Sequence, residues 1–472
     1  MAENDIKFDK ELFVQKIETP LADSYDIICE VGRGAFSKVY EIKHKNTGEI
    51  RACKYIKKEN FQKEDLERFK KEIEILAKSD HPNIIKLFEI VETPKSFYLI
   101  MEKCDGGSLS NKIDQRIKTK KPYDEKILSE LIYQLASAIN YYHKIGICHR
   151  DLKPDNILFV NLGGMENNPL KIIDFGLGKL NKNKGKLESV VGSILYMAPE
   201  VLNGSYNEKC DIWSLGVILY TLISGVLPFL GQNDGETKMK IILMKYNIEK
   251  DFQGASEEVK DLIKHMLVKE SERYSAQDIL NHKWVKKEKK FPNNSEFLEN
   301  NLKVYQKMNI FEKKIITFIA SRLNENEIKN LTNFFNIFDK NNDGIININE
   351  FSRGISELST KKLSKEEIEE LFKNIDTNKD RKIEYTEFLA SCINKDLYLN
   401  KDKLREVFEA FDKKKIGKIC VEDIISVLKL DDNSAIKPKE VFRKLDTANE
   451  GKIEFDQFIK MICILISDSI NK

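Results

Sequence analysis

Four segments in the last third of the chain share one layout, with aspartate first and isoleucine eighth: Asp339/Ile346, Asp376/Ile383, Asp412/Ile419 and Asp446/Ile453. Their starts lie 37, 36 and 34 residues apart. A near-fixed period of this length means copies of one supersecondary unit that bury their faces against each other. Apolar pairs at helical spacing, such as Phe335/Phe338 and Phe408/Phe411, precede the loops, so each copy is read as helix–loop–helix and the four copies pack two by two.

The rest of the chain cannot follow this plan. From Tyr25 to about Tyr98, short β-branched and aromatic runs alternate with charged turns around one helical segment near Asp65 to Lys78. After Gly106-Gly107 the pattern turns helical, through Leu128 to Tyr142 and Ile212 to Ile223. A breaker cluster, Phe291 to Ser295, marks a boundary. Since 472 residues exceed one core, the expected class is α+β: an extension (1–24), a two-lobed domain (25–285), a junction (286–330) and an all-α repeat domain (331–472) with loops at 339–350, 376–387, 412–423 and 446–457.

The loops carry oxygen donors at the alternate positions a hard cation needs. The first offers Asp339, Asn341, Asp343, the Ile345 carbonyl, Asn347 and Glu350, with Gly344 at the sharp turn. The second offers Asp376, Asn378, Asp380, the Lys382 carbonyl, Glu384 and Glu387, but Arg381 replaces the glycine. Forcing that residue to positive φ costs roughly 1–2 kcal/mol, about tenfold in affinity. Calcium is expected in both. In the third loop Lys414 and Ile416 replace donors and Asp423 is too short for bidentate binding. In the fourth, Ala448 gives no oxygen and neutral Gln457 replaces the terminal glutamate. Both keep Gly417, Gly451, Ile419 and Ile453 and are read as structural.

In the first half, Gly32-x-Gly34-x-x-Ser37-x-Val39 lies between predicted strands, where glycines let the backbone approach phosphates. Alone this equally describes a plain hairpin. Ala52-Cys53-Lys54 follows on the next strand, with Glu72 on the helix after it, placed to pair with Lys54. The segment His149-Arg150-Asp151-Leu152-Lys153-Pro154-Asp155-Asn156 is far more specific. Asp151 can accept a hydroxyl proton, Lys153 can offset phosphoryl charge and Asn156 can hold magnesium. Asp174-Phe175-Gly176 adds a magnesium carboxylate, and Ala198-Pro199-Glu200 follows.

Over Tyr25 to Trp284 the chain therefore resembles the eukaryotic protein kinases, in the Ser/Thr form given by Lys153. The resemblance implies ATP and magnesium, with Val39, Ala52 and Leu158 around adenine, Met101 as gatekeeper and Glu102 to Cys104 as hinge. It also implies scaffold roles for Asp211 and for Arg273, paired with Glu200. Ser189 matches the usual phosphosite read by Arg150; it is equally an ordinary loop serine beside the anion Glu188. Gly106-Gly107-Ser108 departs from the Gly-Gly-Glu of basophilic relatives, although Asp155 keeps one acid of that subsite.

With kinase, junction and four EF-hand-like units in order, nearly the whole chain resembles the calcium-dependent protein kinases of plants, ciliates and apicomplexan parasites. That implies a kinase held silent by its junction and sensor until calcium binds. In the junction, taken as Ser295 to Asn330, Leu298, Leu302, Tyr305, Met308, Phe311, Ile315 and Ile319 recur at helical steps with Lys303, Lys307, Lys313 and Lys314. This suits the grip of a calmodulin-like groove, or a linker packed constitutively on the kinase. The competing functions are a catalytically dead calcium-binding scaffold and a kinase whose sensor only docks.

A formal charge of +2 with 33% charged residues gives no field that favours nucleic acid. The eight cysteines are scattered without C-x-x-C, no signal segment opens the chain, and Ala2 stands where myristoylation needs glycine. The expectation is a cytoplasmic monomer without a membrane anchor, acting on protein substrates.

Overall fold

The computed structural model describes residues 14–17, 19–34, 37–174, 193–204, 206–286, 291, 296–358, 363–412, 415–428 and 432–470. The first lobe is a six-stranded sheet of β1 (Gln15–Ile17), β2 (Tyr25–Arg33), β3 (Ser37–His44), β4 (Ile50–Lys57), β5 (Leu87–Glu92) and β6 (Ser96–Met101). Its order is β1-β5-β6-β4-β3-β2, antiparallel except for the parallel β1–β5 pair. The segment before Tyr25 is thus more than an extension, because it supplies an edge strand. Three residues are too few to show an alternation in sequence.

Helix Lys63–Lys78 packs Phe69 and Ile73 against Ile56, Phe97 and Leu99 of the sheet. The second lobe is built around helices Glu125–Lys144 and Lys209–Ser224. Asp124 caps the former by accepting from the Lys126 N–H, and Gly225, at φ 75°, ends the latter. Between them a short hairpin of β7 (Ile157–Phe159) and β8 (Leu170–Ile172) links the segment His149–Asn156 to Asp174.

The junction forms two helices, Glu296–Lys307 and Ile310–Arg322, separated at Asn309, whose side chain forms a capping box with Glu312. All seven apolar residues singled out in the sequence are buried, in the same core as Phe335, Phe388, Phe408 and Phe458 of the repeat domain. The lysines act differently from a generic basic face. Lys313 donates to the Asn374 carbonyl and side-chain oxygen at 3.0 and 2.8 Å, and Lys314 donates to the Leu428 carbonyl at 2.5 Å. Both satisfy carbonyls at helix ends, where cations are favoured.

The repeat domain lies against both lobes. Helix Glu325–Phe338 and the first loop meet the second lobe, the second loop meets Asp80 between helix Lys63–Lys78 and β5, and helix Lys401–Phe411 meets the sheet through the buried Arg51–Glu406 pair and through His44 and Asn46, which contact Glu409 at 3.0 and 2.7 Å.

Candidate functional site: a phosphotransfer cleft and its sensor loops

Strand register assembles one wall of the cleft. Gly32 faces Val39, Val39 faces Lys54, and Ala52 faces Met101, which puts these residues on one surface of the sheet. The Gly34 N–H donates to the Ser37 carbonyl at 2.9 Å and closes the turn above them. Residues Glu102 to Cys104 leave β6 for the second lobe, and Leu158 on β7 bridges Ser108 from below. Gly106 is required there, because a Cβ would lie 2.3 Å from the Asn161 carbonyl oxygen.

Across the cleft, Lys153 Nζ lies 2.7 Å from Asp151 Oδ2, and Asn156 Nδ2 donates to the Asp151 carbonyl at 2.8 Å. The loop is anchored from behind by Asp211, which accepts the His149 and Arg150 N–H groups at 2.8 and 2.9 Å. Burial pulls the Asp211 carboxyl up, but the hydrogen bond and charge of His143 prevail and hold it below the usual carboxylate range. Arg150 and Asp174 sit at φ 68° and 61°, a strained region for residues with a Cβ and one in which functional positions concentrate. Arg273, fully buried, makes both its Nη–carboxylate bonds to Glu200.

One expected contact is absent. Lys54 Nζ pairs with Asp174, and Glu72 makes no ion pair with it among the described residues. Glu72 Oε2 is buried without a hydrogen-bond partner, and burial pushes this carboxyl up to about 7 despite the Arg150 and Lys54 charges. Local sequence places Glu72 on the correct helix, but the position of that helix against the sheet is a tertiary matter. Phe175, Gly176, Glu188, Ser189 and Lys414 lie outside the described residues.

All four loops share a cradle. The sixth residue's N–H donates to the first aspartate in each: Gly344 to Asp339 at 2.9 Å, Arg381 to Asp376 at 2.9 Å, Gly417 to Asp412 at 2.7 Å and Gly451 to Asp446 at 2.7 Å. Arg381 does take the positive φ, 64°. The loops pair through Ile346 and Ile383, and through Ile419 and Ile453, whose N–H groups donate to each other's carbonyls at 3.0 and 2.9 Å.

Beyond the cradle the pairs diverge. Glu350 turns back to its loop and accepts from the Lys340, Asn341 and Asn347 N–H groups, all at 3.1 Å; Glu387 does the same for Thr377 and Glu384 at 3.1 and 3.2 Å. Burial raises Glu350, Asp376 and Glu387 above the usual carboxylate range, and neighbouring acids add to it: Asp343 for the first, Asp380 for the second, Glu384 for the third. Crowded, buried oxygen donors of this kind suit a hard divalent cation. In the second pair, Lys418 Nζ lies 2.9 Å from Glu450 and 3.6 Å from Glu454, so an ammonium already balances the acids of the fourth loop. Gln457 donates to the Leu445 carbonyl, and Ile416 is exposed.

The protein kinase domain model matches residues 25–285, and the EF-hand domain pair model matches 328–393 and 401–463. Calcium-dependent protein kinase 5 of Plasmodium falciparum is 35% identical over 96% of this chain and 81% of its own length. Calcium-dependent protein kinase 4 of Plasmodium berghei is 35% identical over 97% and 90%, and calcium-dependent protein kinase 13 of Arabidopsis thaliana 34% over 94% and 84%. The chain belongs to the calcium-dependent protein kinase family. It is an enzyme of the protein-kinase class with an EF-hand domain in the same chain, and nothing favours a catalytically dead scaffold. A kinase domain implies ATP and magnesium, and EF-hands imply calcium. No helix among the described residues is long and apolar enough to cross a membrane.

Sequence reasoning about this kinase missed the surface between sensor and catalytic domain. The Asn342 side-chain oxygen accepts from Tyr133 Oη at 2.6 Å, and the Asn342 carbonyl accepts from Asn140 Nδ2 at 2.9 Å. Thr386 donates to Asp80 through its hydroxyl at 2.7 Å and its N–H at 2.9 Å. The hint in sequence is weak, since Tyr133 and Asn140 stand among other polar residues of the same helix, such as Gln134 and Ser137.

Proposed function

We propose that this kinase transfers the γ-phosphoryl group of ATP to serine or threonine hydroxyls of protein substrates when its first two EF-hand loops hold calcium. Asp151 takes the hydroxyl proton, and Lys153 offsets charge on the group in transfer. Lys54 orients the nucleotide phosphates beneath the turn at Gly32, Gly34 and Ser37, while Val39, Ala52, Leu158 and Met101 enclose the base beside Glu102 and Cys104. Magnesium bound by Asn156 and Asp174 would supply charge neutralisation at the phosphates. Asp211 anchors the segment that carries Asp151 through the His149 and Arg150 N–H groups, so the acceptor meets a preorganised base.

The observation that carries this reading is the convergence of Lys54, Asp174, Asp151, Lys153 and Asn156 on one cleft in a chain whose first two loops keep their oxygen donors. Calcium in those loops, two ions per chain, would supply the charge their buried carboxylates lack. The third and fourth loops act as a permanent clamp on the junction, which together with the sensor holds the kinase inactive without calcium. Exposed Asp155 leaves a weak preference for basic residues near the acceptor.

The test is phosphate transfer from ATP to a basic peptide, with excess magnesium, across a titration of free calcium, together with bound calcium per chain. A steep rise in the micromolar range with two ions bound is expected. Calcium-independent transfer would reduce the sensor to a docking module, and four bound ions would overturn the division between the loop pairs.

A further inference from the structure

Lys171, on β8 and three residues before Asp174, is fully buried, yet the catalytic cleft does not use it. Its Nζ lies 3.2 Å from Glu102 Oε1 and 3.2 Å from Oε2 of Glu325, the first residue of the sensor's helix Glu325–Phe338. Glu102 Oε1 also accepts the Lys86 N–H at 2.7 Å, and the Glu102 N–H donates to the Lys86 carbonyl at 3.0 Å. The Lys86 ammonium points to the Leu323 carbonyl, at 3.4 Å, just ahead of the same sensor helix. The buried Lys171 ammonium is thus held between two carboxylates behind the link between the lobes, with half-buried Lys86 beside them, and of these four side chains only Glu325 comes from outside the kinase domain.

We propose that Glu325 is a positioning residue for nucleotide binding: its carboxylate balances the Lys86–Lys171–Glu102 cluster and so fixes the link Glu102–Cys104 in the geometry that receives the base. Without Glu325, the fully buried Lys171 is left with Glu102 alone, the carboxylate that also accepts the Lys86 N–H, and Glu102 is drawn towards the ammonium; leaving a buried charge under-compensated is among the more costly changes in a protein. Burial pulls Lys171 towards its neutral form, but Glu102 and Glu325 outweigh this and keep it charged. Burial and the Lys171 charge, by contrast, hold Lys86 below the usual ammonium range. Docking of the sensor then acts on the ATP side of the reaction through one carboxylate, and by linkage bound nucleotide favours the docked sensor by the same factor.

This inference rests on the reading of Glu102–Cys104 as the nucleotide-binding link, so the experiment measures binding directly. A fluorescent ATP analogue is titrated into the full chain with calcium present, for wild type, Glu325→Gln, Glu325→Asp and the double variant Lys171→Met/Glu325→Gln. KM for ATP and for peptide are measured alongside. Expected are an about tenfold loss of nucleotide affinity in Glu325→Gln, a smaller loss in Glu325→Asp, partial recovery in the double variant, and an unchanged KM for peptide. Unchanged nucleotide affinity in Glu325→Gln overturns the inference while leaving the function intact. Equal losses for ATP and peptide overturn it too, since they would mark general loosening, as does a change confined to the calcium needed for half-activation, which would mark a docking contact only. Failure of the wild type to bind the analogue overturns both readings.

Discussion

The two halves of the sensor are built on one backbone plan but meet the kinase by different means. Besides the Glu325–Lys171 pair, the first half touches it with the loops themselves, through Asn342, Gly344 and Thr386, so what fills the loops bears on the contact. The second half touches it with side chains of helix Lys401–Phe411, Lys403, Glu406 and Glu409, that do not depend on a loop ligand. The shared cradle at the first aspartate shows that the hand's shape and its cation are separable. Backbone N–H groups and the isoleucine bridge hold the shape, while the fifth, ninth and twelfth residues decide whether an ion or a lysine balances the charge.

The sharpest way to break this contrast is Glu406→Gln. It leaves the Arg51 guanidinium buried with Glu89 as its remaining carboxylate, at 3.8 Å, and should weaken docking of the second half by about 3–5 kcal/mol. Hydrogen exchange in β3 and β4 would report it, whether or not calcium is present. A dependence on calcium as strong as that of the first half would erase the distinction. Next in size, Glu350→Gln should remove one bound ion per chain, a loss of more than about 100-fold at that loop. Calorimetry would show it, and Asp412→Asn in the third loop should leave the ion count unchanged.

Arg381→Gly relieves the positive φ in the second loop and should tighten calcium there about tenfold, seen as a shift of one binding phase to lower calcium. Smallest of all, Lys418→Met removes an exposed ion pair and should barely move the unfolding midpoint. Its value lies in the ion count: a third calcium would mean that the lysine alone keeps the fourth loop from binding.

What the sequence disclosed was whatever a short stretch of backbone decides. Spacing within one loop brought Asp339 and Glu350 together, and the order His149 to Asn156 brought Asp151, Lys153 and Asn156 together, because neighbours along the chain remain neighbours in the fold. The junction's apolar face was legible for the same reason, although not its break at Asn309, where a capping box competes with continued helix. Contacts decided by docking were illegible. Tyr133 and Asn342 are 209 positions apart, and Arg51 and Glu406 are 355 apart. Nor could the sequence say that Lys54 would choose Asp174 over Glu72, since that depends on where a whole helix rests. The edge strand β1 escaped notice because its pairing is supplied by β5 rather than by its own pattern.

Gly344 joins these two kinds of information. Its φ of 77° suits the turn of any such loop, but a Cβ there would also come 2.6 Å from the Tyr141 ring. In the second loop that position is exposed and tolerates an arginine. The vacant volume beside one α-carbon is therefore a clearance that the catalytic domain imposes on the sensor: a larger residue could still fold the loop, as Arg381 does, and yet wedge the two domains apart.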